Sequence, residues 1–256
     1  MAEAAGLALA SLGAFNNAIQ CFEYIQLAHS YDQDWKTATL KLDVAKLRLC
    51  RWASSVGLDK DPPSALGSVR EHEKAKDLLG QIVQLFKETE RQSTGLKLQK
   101  DGKERNIYDP AHDLDDTTSA LHQKVERLSL KRLQPRNFSK KVKWALFKGK
   151  YLNRLIQDIT ELTDGLIELF PDAQSAQKQL CWAEAAELAA DSHASLILPI
   201  VKEQDAELKA AIKSQQAVRG GSNFSITFAR SQNSGLQQGY FSGGYQTNNF
   251  GGTVLR

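Results

Sequence analysis

An abrupt change in composition near residue 218 divides the chain into two parts that cannot fold by the same rules. Residues 220–256 contain eight glycines, four asparagines, four glutamines and six aromatic residues, with no acidic residue, no lysine and two arginines. Tails of this composition are most often flexible, solvated appendages. The sequence therefore predicts a folded domain over residues 1–217 and a tail of a different physical class over residues 218–256.

Two segments of the tail nevertheless alternate residue types with a period of two, which is the pattern of an extended strand. In the first segment the apolar positions are Phe224, Ile226 and Phe228. In the second, the alternating residues are Asn233, Gly235, Gln237 and Gly239, with Leu236 at an apolar spacer position and Phe241 at the end. When identical strands stack, Asn and Gln side chains form amide ladders and Gly lets the strands pack closely. We therefore expect a disordered, β-prone tail that is competent to form amyloid.

The N-terminus carries a long uncharged segment, the nineteen residues from Ala4 to Phe22. A helix needs about 20 apolar residues to cross a bilayer core, and Asn16, Asn17 and Gln20 make this segment marginal. We expect it to pack on the domain at rest and to enter a membrane after activation. If Leu12 is partly exposed at rest, Leu12→Lys should block insertion without unfolding the domain. The residues expected to enter the membrane are Gly6, Leu7, Leu9, Ala10, Leu12, Gly13, Ala14, Phe15 and Ile19.

The body before the tail has helical periodicity, with no β-rich segment before Asn223. Beyond the N-terminal helix, helices are expected at 34–57, around 78–86, around 121–128, at 139–170 and at 172–217, with a loop over 99–116. Ser139 is expected to begin the helix that runs through Trp144, and Pro199 to kink the last one. The predicted fold class is an all-α helical bundle.

Catalytic and metal-binding signals are weak. Cys21, Cys50 and Cys181 are odd in number and stand in helical apolar patterns, which favours buried reduced thiols over disulfides or a metal site. The five histidines include no pair at metal-ligand spacing, and no nucleotide-binding or nucleophile motif is present. We therefore expect no enzyme activity, no catalytic residue, no metal and no cofactor.

A basic stripe covers residues 127–154, which contain ten basic residues and no acidic one, with aromatic residues between them. It is suited to anionic lipid headgroups or to a nucleic-acid backbone, and it is also compatible with a solvated face balanced by acidic neighbours. Lipid is favoured over nucleic acid, and no nucleic-acid partner is expected. The lipid-binding candidates are Lys140, Lys141, Lys143, Lys148 and Lys150.

A series of short motifs runs through the body in a definite order and spacing. They are Phe15-Asn-Asn17, residues 21–27 (CFEYIQL), residues 42–52 (LDVAKLRLCRW), residues 140–150 (KKVKWALFKGK) and Leu169-Phe-Pro171. Together they resemble the HeLo domain of the fungal HET-S/HET-s family over about residues 1 to 215. The resemblance implies an all-α fold and a toxic activity at membranes once a C-terminal amyloid segment has been templated. In that family the N-terminal segment enters the membrane, which maps onto Ala4–Phe22.

The spacing Asn-x-Gly-x-Gln-x-Gly at residues 233–239 is similar to the pseudo-palindromic, RHIM-like amyloid motif of fungal signalling proteins. Phe241 departs from that motif, which ends in a polar residue, and the tail lacks the charged β-solenoid repeats of the HET-S/HET-s family. The two resemblances imply a cell-death execution protein that is cytoplasmic at rest and reaches the plasma membrane when activated. The implied partners are the chain itself as an amyloid homo-oligomer, an NLR-type receptor with a matching motif, and anionic membrane lipids.

Two other interpretations remain open. An RNA-binding or condensate-forming protein would use the basic stripe together with the Gly/Asn/Tyr tail, although the tail has one Arg-Gly-Gly sequence, at 219–221, and no RNA-binding fold signature is present. A passive helical adaptor with a disordered tail is the other.

Overall fold

The computed structural model describes residues 2–28, 31, 33–60, 66–95, 107–133, 143–190 and 194–220, which are mostly helical. The helices are α1 (Ala2–Tyr24), α2 (Trp35–Ser55), α3 (Val69–Gly95), α4 (Pro110–Asp113), α5 (Asp116–Leu130), α6 (Gly149–Glu168), α7 (Gln174–Ala189), α8 (Ala194–Gln204) and α9 (Ala206–Gly220). The predicted all-α class is confirmed. The tail beyond residue 220, with every predicted amyloid residue, lies outside the described residues.

Two short strands were not expected. β1 (Ile25–Leu27) and β2 (Trp144–Leu146) pair in parallel, with Ile25 opposite Trp144. The predictions of no strand before Asn223 and of a helix through Trp144 are therefore wrong, because α6 begins only at Gly149. A short apolar run cannot be assigned to strand or helix by periodicity, and here its pairing partner lies far earlier in the chain. Ser139, the expected start of that helix, lies outside the described residues.

Aspartates begin several helices, because their carboxylates accept hydrogen bonds from backbone N–H groups that have no partner within the helix. Asp34 precedes α2 and accepts from the Lys36 nitrogen at 3.1 Å, and Asp115 precedes α5 and accepts from the Thr118 nitrogen at 3.1 Å. After α2, Gly57 has a φ of 78°, the left-handed conformation that suits glycine at a helix end. The expected glycine stop after α2 is confirmed.

The buried apolar residues form two clusters, and α2 contributes to both. The first cluster joins α1, α2, α3, α6 and the two strands, with Trp52 of α2 among its fully buried side chains. The second joins α2, α5, α7, α8 and α9, with Leu47 of α2 among its members. Helix α1 packs mainly on α3 and to a smaller extent on α2, and α2 in turn contacts α7 and α8. Helix α2 therefore lies between α1 and the C-terminal helices.

The C-terminal part differs from the single kinked helix that was predicted over residues 172–217. A 3₁₀ helix at Pro171–Ala173 leads into α7, and α8 continues through Pro199 to Gln204. The break before α9 falls at Asp205, whose carboxylate accepts a hydrogen bond from the Leu208 nitrogen at 3.1 Å. The boundary is therefore set by an N-capping aspartate that the proline-based prediction overlooked.

Candidate functional site

Helix α1 presents one face to the body of the domain and another to the solvent. Leu12 and Phe15 are buried, whereas Leu9 is 56% exposed. The buried positions recur every three or four residues, so a single apolar stripe attaches the helix. Over residues 9–24, the part of α1 whose side chains the structure describes, the buried residues are Ser11, Leu12, Phe15, Ala18, Ile19 and Phe22.

Aromatic contacts fix α1 against its two neighbours. The ring of Phe22 meets the ring of Phe86 on α3 edge-on, with 4.9 Å between centroids. The ring of Phe15 lies 6.5 Å from that of Trp52 on α2. Both distances are in the range of favourable aromatic pairs. Trp52 is itself held by a hydrogen bond from its indole nitrogen to the Leu166 carbonyl oxygen at 3.0 Å.

Two polar contacts to neighbouring helices are seen over the part of α1 whose side chains the structure describes. The Ser11 hydroxyl lies 3.2 Å from Nδ1 of the buried His72 on α3 and donates to the His72 carbonyl oxygen at 3.3 Å. Near the other end of the helix, Glu23 pairs with the Lys46 ammonium of α2. Most of the described attachment is therefore apolar. Apolar contacts are non-directional, so the same face of α1 can be buried in a protein core or in a lipid core.

The centre of the uncharged segment is sterically open. A Cβ atom built on Gly13 meets nothing within 4 Å, so a side chain at this position has room on the resting domain. Over the described residues, no helix is both long enough and apolar enough to qualify as a membrane span.

A buried charge cluster connects α2 to the C-terminal helices. We call it the Arg51 cluster; its members are Arg51 of α2, Arg132 after α5, Glu184 of α7 and Asp205 before α9. Arg51 Nε donates to Glu184 Oε2 at 2.9 Å, Arg51 Nη2 lies 2.5 Å from Asp205 Oδ2, and Arg132 pairs with the other oxygen of Glu184. Arg51, Glu184 and Asp205 are at most 2% exposed. Burial raises the pKa of Glu184, against the opposing attraction of the two arginines.

A second titratable pair lines a cavity of about 340 Å³ between the end of α1, α2 and α5. His122 Nδ1 of α5 lies 2.7 Å from Asp43 Oδ2 of α2. The hydrogen bond to Asp43 raises the pKa of His122, and it outweighs the burial that would lower this pKa. Trp35 and Tyr108 stack at 4.0 Å on the wall of the same cavity.

The comparison with known families decides what this bundle is. Residues 4–198 match the family described as HeLo, prion-inhibition and propagation. The chain belongs to the HeLo family. The members of this family are non-enzymatic, so the match confirms the prediction that the chain is not an enzyme.

Two curated relatives come from the fungus Podospora anserina. The chain is 31% identical over 166 residues to heterokaryon incompatibility protein S, covering 64% of this chain and 57% of that protein. It is 31% identical over 176 residues to heterokaryon incompatibility protein s, covering 67% of this chain and 61% of that protein. The match thus spans about three fifths of the length of each relative.

Solved structures of the same domain agree with the architecture. The HET-S N-terminal domain superposes with a TM-score of 0.74 at 26% identity, covering 82% of this chain and 94% of that one. A doubly substituted HET-s N-terminal domain gives a TM-score of 0.72 at 27% identity, covering 80% and 97%. The predicted resemblance to the HeLo domain is therefore confirmed for the body of the chain.

Within the HeLo domain, the predicted membrane residues are divided between the two faces of α1. Leu9 and Ala10 are exposed, and Gly13 and Ala14 are half-buried. Leu12, Phe15 and Ile19 are buried; Gly6 and Leu7 belong to α1, but their side chains are outside the description. The condition set for the Leu12→Lys test, that Leu12 is partly exposed at rest, is not met, because Leu12 is 3% exposed. A lysine at this site would perturb the resting fold as well as insertion.

The predicted lipid-binding lysines do not lie on one helix. Lys143, Lys148 and Lys150 are exposed around β2 and the start of α6, whereas Lys140 and Lys141 lie outside the described residues. The stripe is interrupted by the buried strand β2. Several of its other cations have acidic partners, since Lys131 pairs with Glu187 at 2.9 Å and Arg132 pairs with Glu184.

Burial of the thiols is confirmed for two of the three cysteines. Cys50 and Cys181 are buried, and burial raises the pKa of each to about 12. Cys21 is only half-buried. The sequence reasoning missed the Arg51 cluster, although one signal pointed to it: Glu184 shares the apolar face of α7 with Cys181, Ala185 and Leu188. An acidic residue at such a position needs a buried cation.

Proposed function

We propose that this HeLo protein is a fungal heterokaryon-incompatibility effector that kills cells by permeabilising the plasma membrane after its tail has been templated into amyloid. The observation that carries the proposal is α1. It joins an uncharged segment of nineteen residues, Ala4 to Phe22, to a resting position held mainly by apolar contacts. The names of its curated relatives supply the biological setting.

The trigger in this proposal is the tail. A receptor of the NLR type with a matching motif would present strands to residues 223–250, and identical chains would then add to the growing stack. Asn233 and Gln237 would form the amide ladders, while Gly235 and Gly239 would allow close packing of the strands. Stacked tails bring many HeLo domains together at the fibril surface. This crowding would strain the resting packing of the domains and free α1.

At the membrane, the exposed lysines would assist. Lys143, Lys148 and Lys150 lie around β2 and the start of α6. Each basic residue near an anionic surface contributes about 1 kcal/mol of attraction. The protein would thus be cytoplasmic at rest and membrane-bound once activated. The RNA-binding alternative is less well supported, because part of the basic stripe is already paired with acidic residues.

A substitution at Gly13 tests the insertion step without disturbing the resting fold. Gly13 is the midpoint of Ala4–Phe22, and a Cβ atom there has open space. A lysine at the centre of an inserted helix costs about 2.5–3.5 kcal/mol, which lowers the insertion equilibrium by roughly two orders of magnitude. Gly13→Lys protein should therefore form fibrils with seed but release little dye from anionic vesicles. Seeds are preformed fibrils of a peptide spanning residues 215–256.

Two controls make this result specific. Gly13→Leu fills the same space without a charge and should leak dye like the wild type. Gly80→Lys places the same charge at an equally open glycine of α3 and should also leak normally. Unseeded wild-type protein should leak little. Equal leakage from seeded Gly13→Lys and seeded wild type would overturn the insertion step.

A further inference from the structure

Asp205 carries out two structural tasks with its two carboxylate oxygens. Oδ1 accepts the hydrogen bond from the Leu208 nitrogen that begins α9, at 3.1 Å. Oδ2 lies 2.5 Å from the Arg51 guanidinium of α2. The start of α9 is therefore attached to α2 through one buried side chain. A displacement of α9 moves the oxygen that pairs with Arg51.

On α2, Arg51 is followed directly by Trp52, and the two side chains point into different parts of the domain. Arg51 contacts α7 and the start of α9, whereas Trp52 packs in the first cluster between Phe15 of α1 and Phe170. The ring of Trp52 lies 6.5 Å from that of Phe15 and 6.0 Å from that of Phe170. A shift of α2 at Arg51 is necessarily a shift of the Trp52 ring beneath α1.

We propose that the Arg51 cluster is the mechanical joint that passes a displacement of α9, the helix leading into the tail, through α2 to α1. The inference deepens the proposed function, because it names the internal route from the tail to the membrane segment. Separating Asp205 from Arg51 leaves an uncompensated charge in a buried site, which is strongly unfavourable. Relief of that charge requires α2 to move and its neighbours to repack, and Trp52 then no longer supports Phe15.

A double-mutant cycle tests this coupling in the resting, full-length protein. Asp205→Asn keeps the helix cap, since asparagine caps as well as aspartate, but it removes the charge that pairs with Arg51. Phe15→Leu removes the α1 contact with Trp52. Because Asp205→Asn has already loosened Trp52, Phe15→Leu should cost less in that background than in the wild type. The unfolding equilibrium constant of the double variant should deviate from the product of the single effects by at least fivefold.

Two matched cycles distinguish specific coupling through the Arg51 cluster from a general destabilisation of the domain. Phe22→Leu makes the same change on α1, but at the contact with Phe86 of α3. Asp115→Asn makes the same change at a capping aspartate that pairs with a lysine of α2, Lys36, at the surface. The Asp205–Phe22 and Asp115–Phe15 cycles should be additive within about twofold, as expected for independent sites.

Additive behaviour of the Asp205–Phe15 cycle, or equally strong coupling in the Phe22 cycle, would overturn the joint. If Asp205→Asn does not fold, Glu184→Gln replaces it in the same cycles, since it removes the other carboxylate bound to Arg51. The cycles use neither seed nor vesicles. Their failure would therefore leave the proposed function standing, and failure of the Gly13→Lys leakage test would leave the joint standing.

Discussion

Replacing Arg51 by methionine should lower the free energy of unfolding of this protein more than the substitution of any surface charge. The side chain is 1% exposed and pairs with both Glu184 and Asp205. Removing one partner of a buried ion pair costs about 3–5 kcal/mol, because a buried charge is left uncompensated; here Asp205 would lose Arg51, while Glu184 would keep Arg132. A domain of this size has about 5–15 kcal/mol of stability in total. At about 2–4 °C per kcal/mol, the melting temperature should fall by roughly 6–20 °C.

Arg48→Met is the matched control, since Arg48 is on the same helix and pairs with Asp164, whose side chain is half exposed. Because solvent screens the Asp164 carboxylate, this pair contributes less than the fully buried pairs of Arg51, and Arg48→Met should lose clearly less stability than Arg51→Met. Urea unfolding of the full-length chain measures both variants.

The pH dependence identifies the cause of the Arg51→Met defect. Burial raises the pKa of Glu184, and Arg51 opposes that rise. Without the guanidinium, the pKa of Glu184 should lie further above the unfolded value, so the penalty for its charge is present above the folded pKa and is relieved as pH falls through it. The gap in unfolding free energy between variant and wild type should therefore narrow between about pH 7.5 and about pH 5. A gap that stays constant over this range, or an Arg48→Met defect of equal size, would refute the charge argument.

Three further changes have defined outcomes. Gln237→Pro removes a backbone donor from the predicted tail strand and should abolish fibril formation by full-length protein, as read by thioflavin fluorescence, with unchanged helical circular dichroism; wild-type fibril yield would remove the motif. His122→Gln should destabilise the protein more at about pH 6 than at about pH 9. The hydrogen bond to Asp43 raises the pKa of His122, so the stabilisation that this pair provides is lost as pH rises through the folded pKa. Urea unfolding at both pH values measures the difference. Gly67→Ala should destabilise by about 1–3 kcal/mol, since Gly67 has a φ of 98° and an added Cβ would lie 2.6 Å from the Phe170 ring; a neutral effect in urea unfolding would contradict this.

Local sequence signals predicted those elements that local interactions determine. The helix expected over residues 34–57 is found as α2, with Asp34 as its N-cap and Gly57 just after its end. Trp144 was assigned wrongly because its strand exists only through pairing with Ile25, a partner that periodicity cannot reveal. The break at Asp205 is an exception, because its N-cap to the Leu208 nitrogen is a local signal that the prediction overlooked in favour of Pro199.

The candidate site was foreseen in outline and missed in detail. The uncharged run located α1, but composition does not show which face is buried, so the sequence left open whether Leu12 is exposed; it is buried. The basic stripe predicted where the cations lie in the sequence but not which acidic residues pair with them. For example, Lys131, just after α5, pairs with Glu187 of α7. The two residues are separated by 56 positions, and the sequence around one does not predict the other.

The small parallel sheet sets a limit on how far a released α1 can travel. The chain passes from Tyr24 at the end of α1 directly into β1, whose Ile25 is opposite Trp144 and whose Leu27 carbonyl oxygen accepts from the Tyr108 nitrogen at 2.8 Å. While these bonds hold, a released α1 would move about a fixed point with a reach of about 35 Å, the length of a helix of 23 residues. A bilayer core is about 30 Å thick. Helix α1 would thus be long enough to cross the bilayer core only if this fixed point, with Lys143 beside it, lay on the membrane surface.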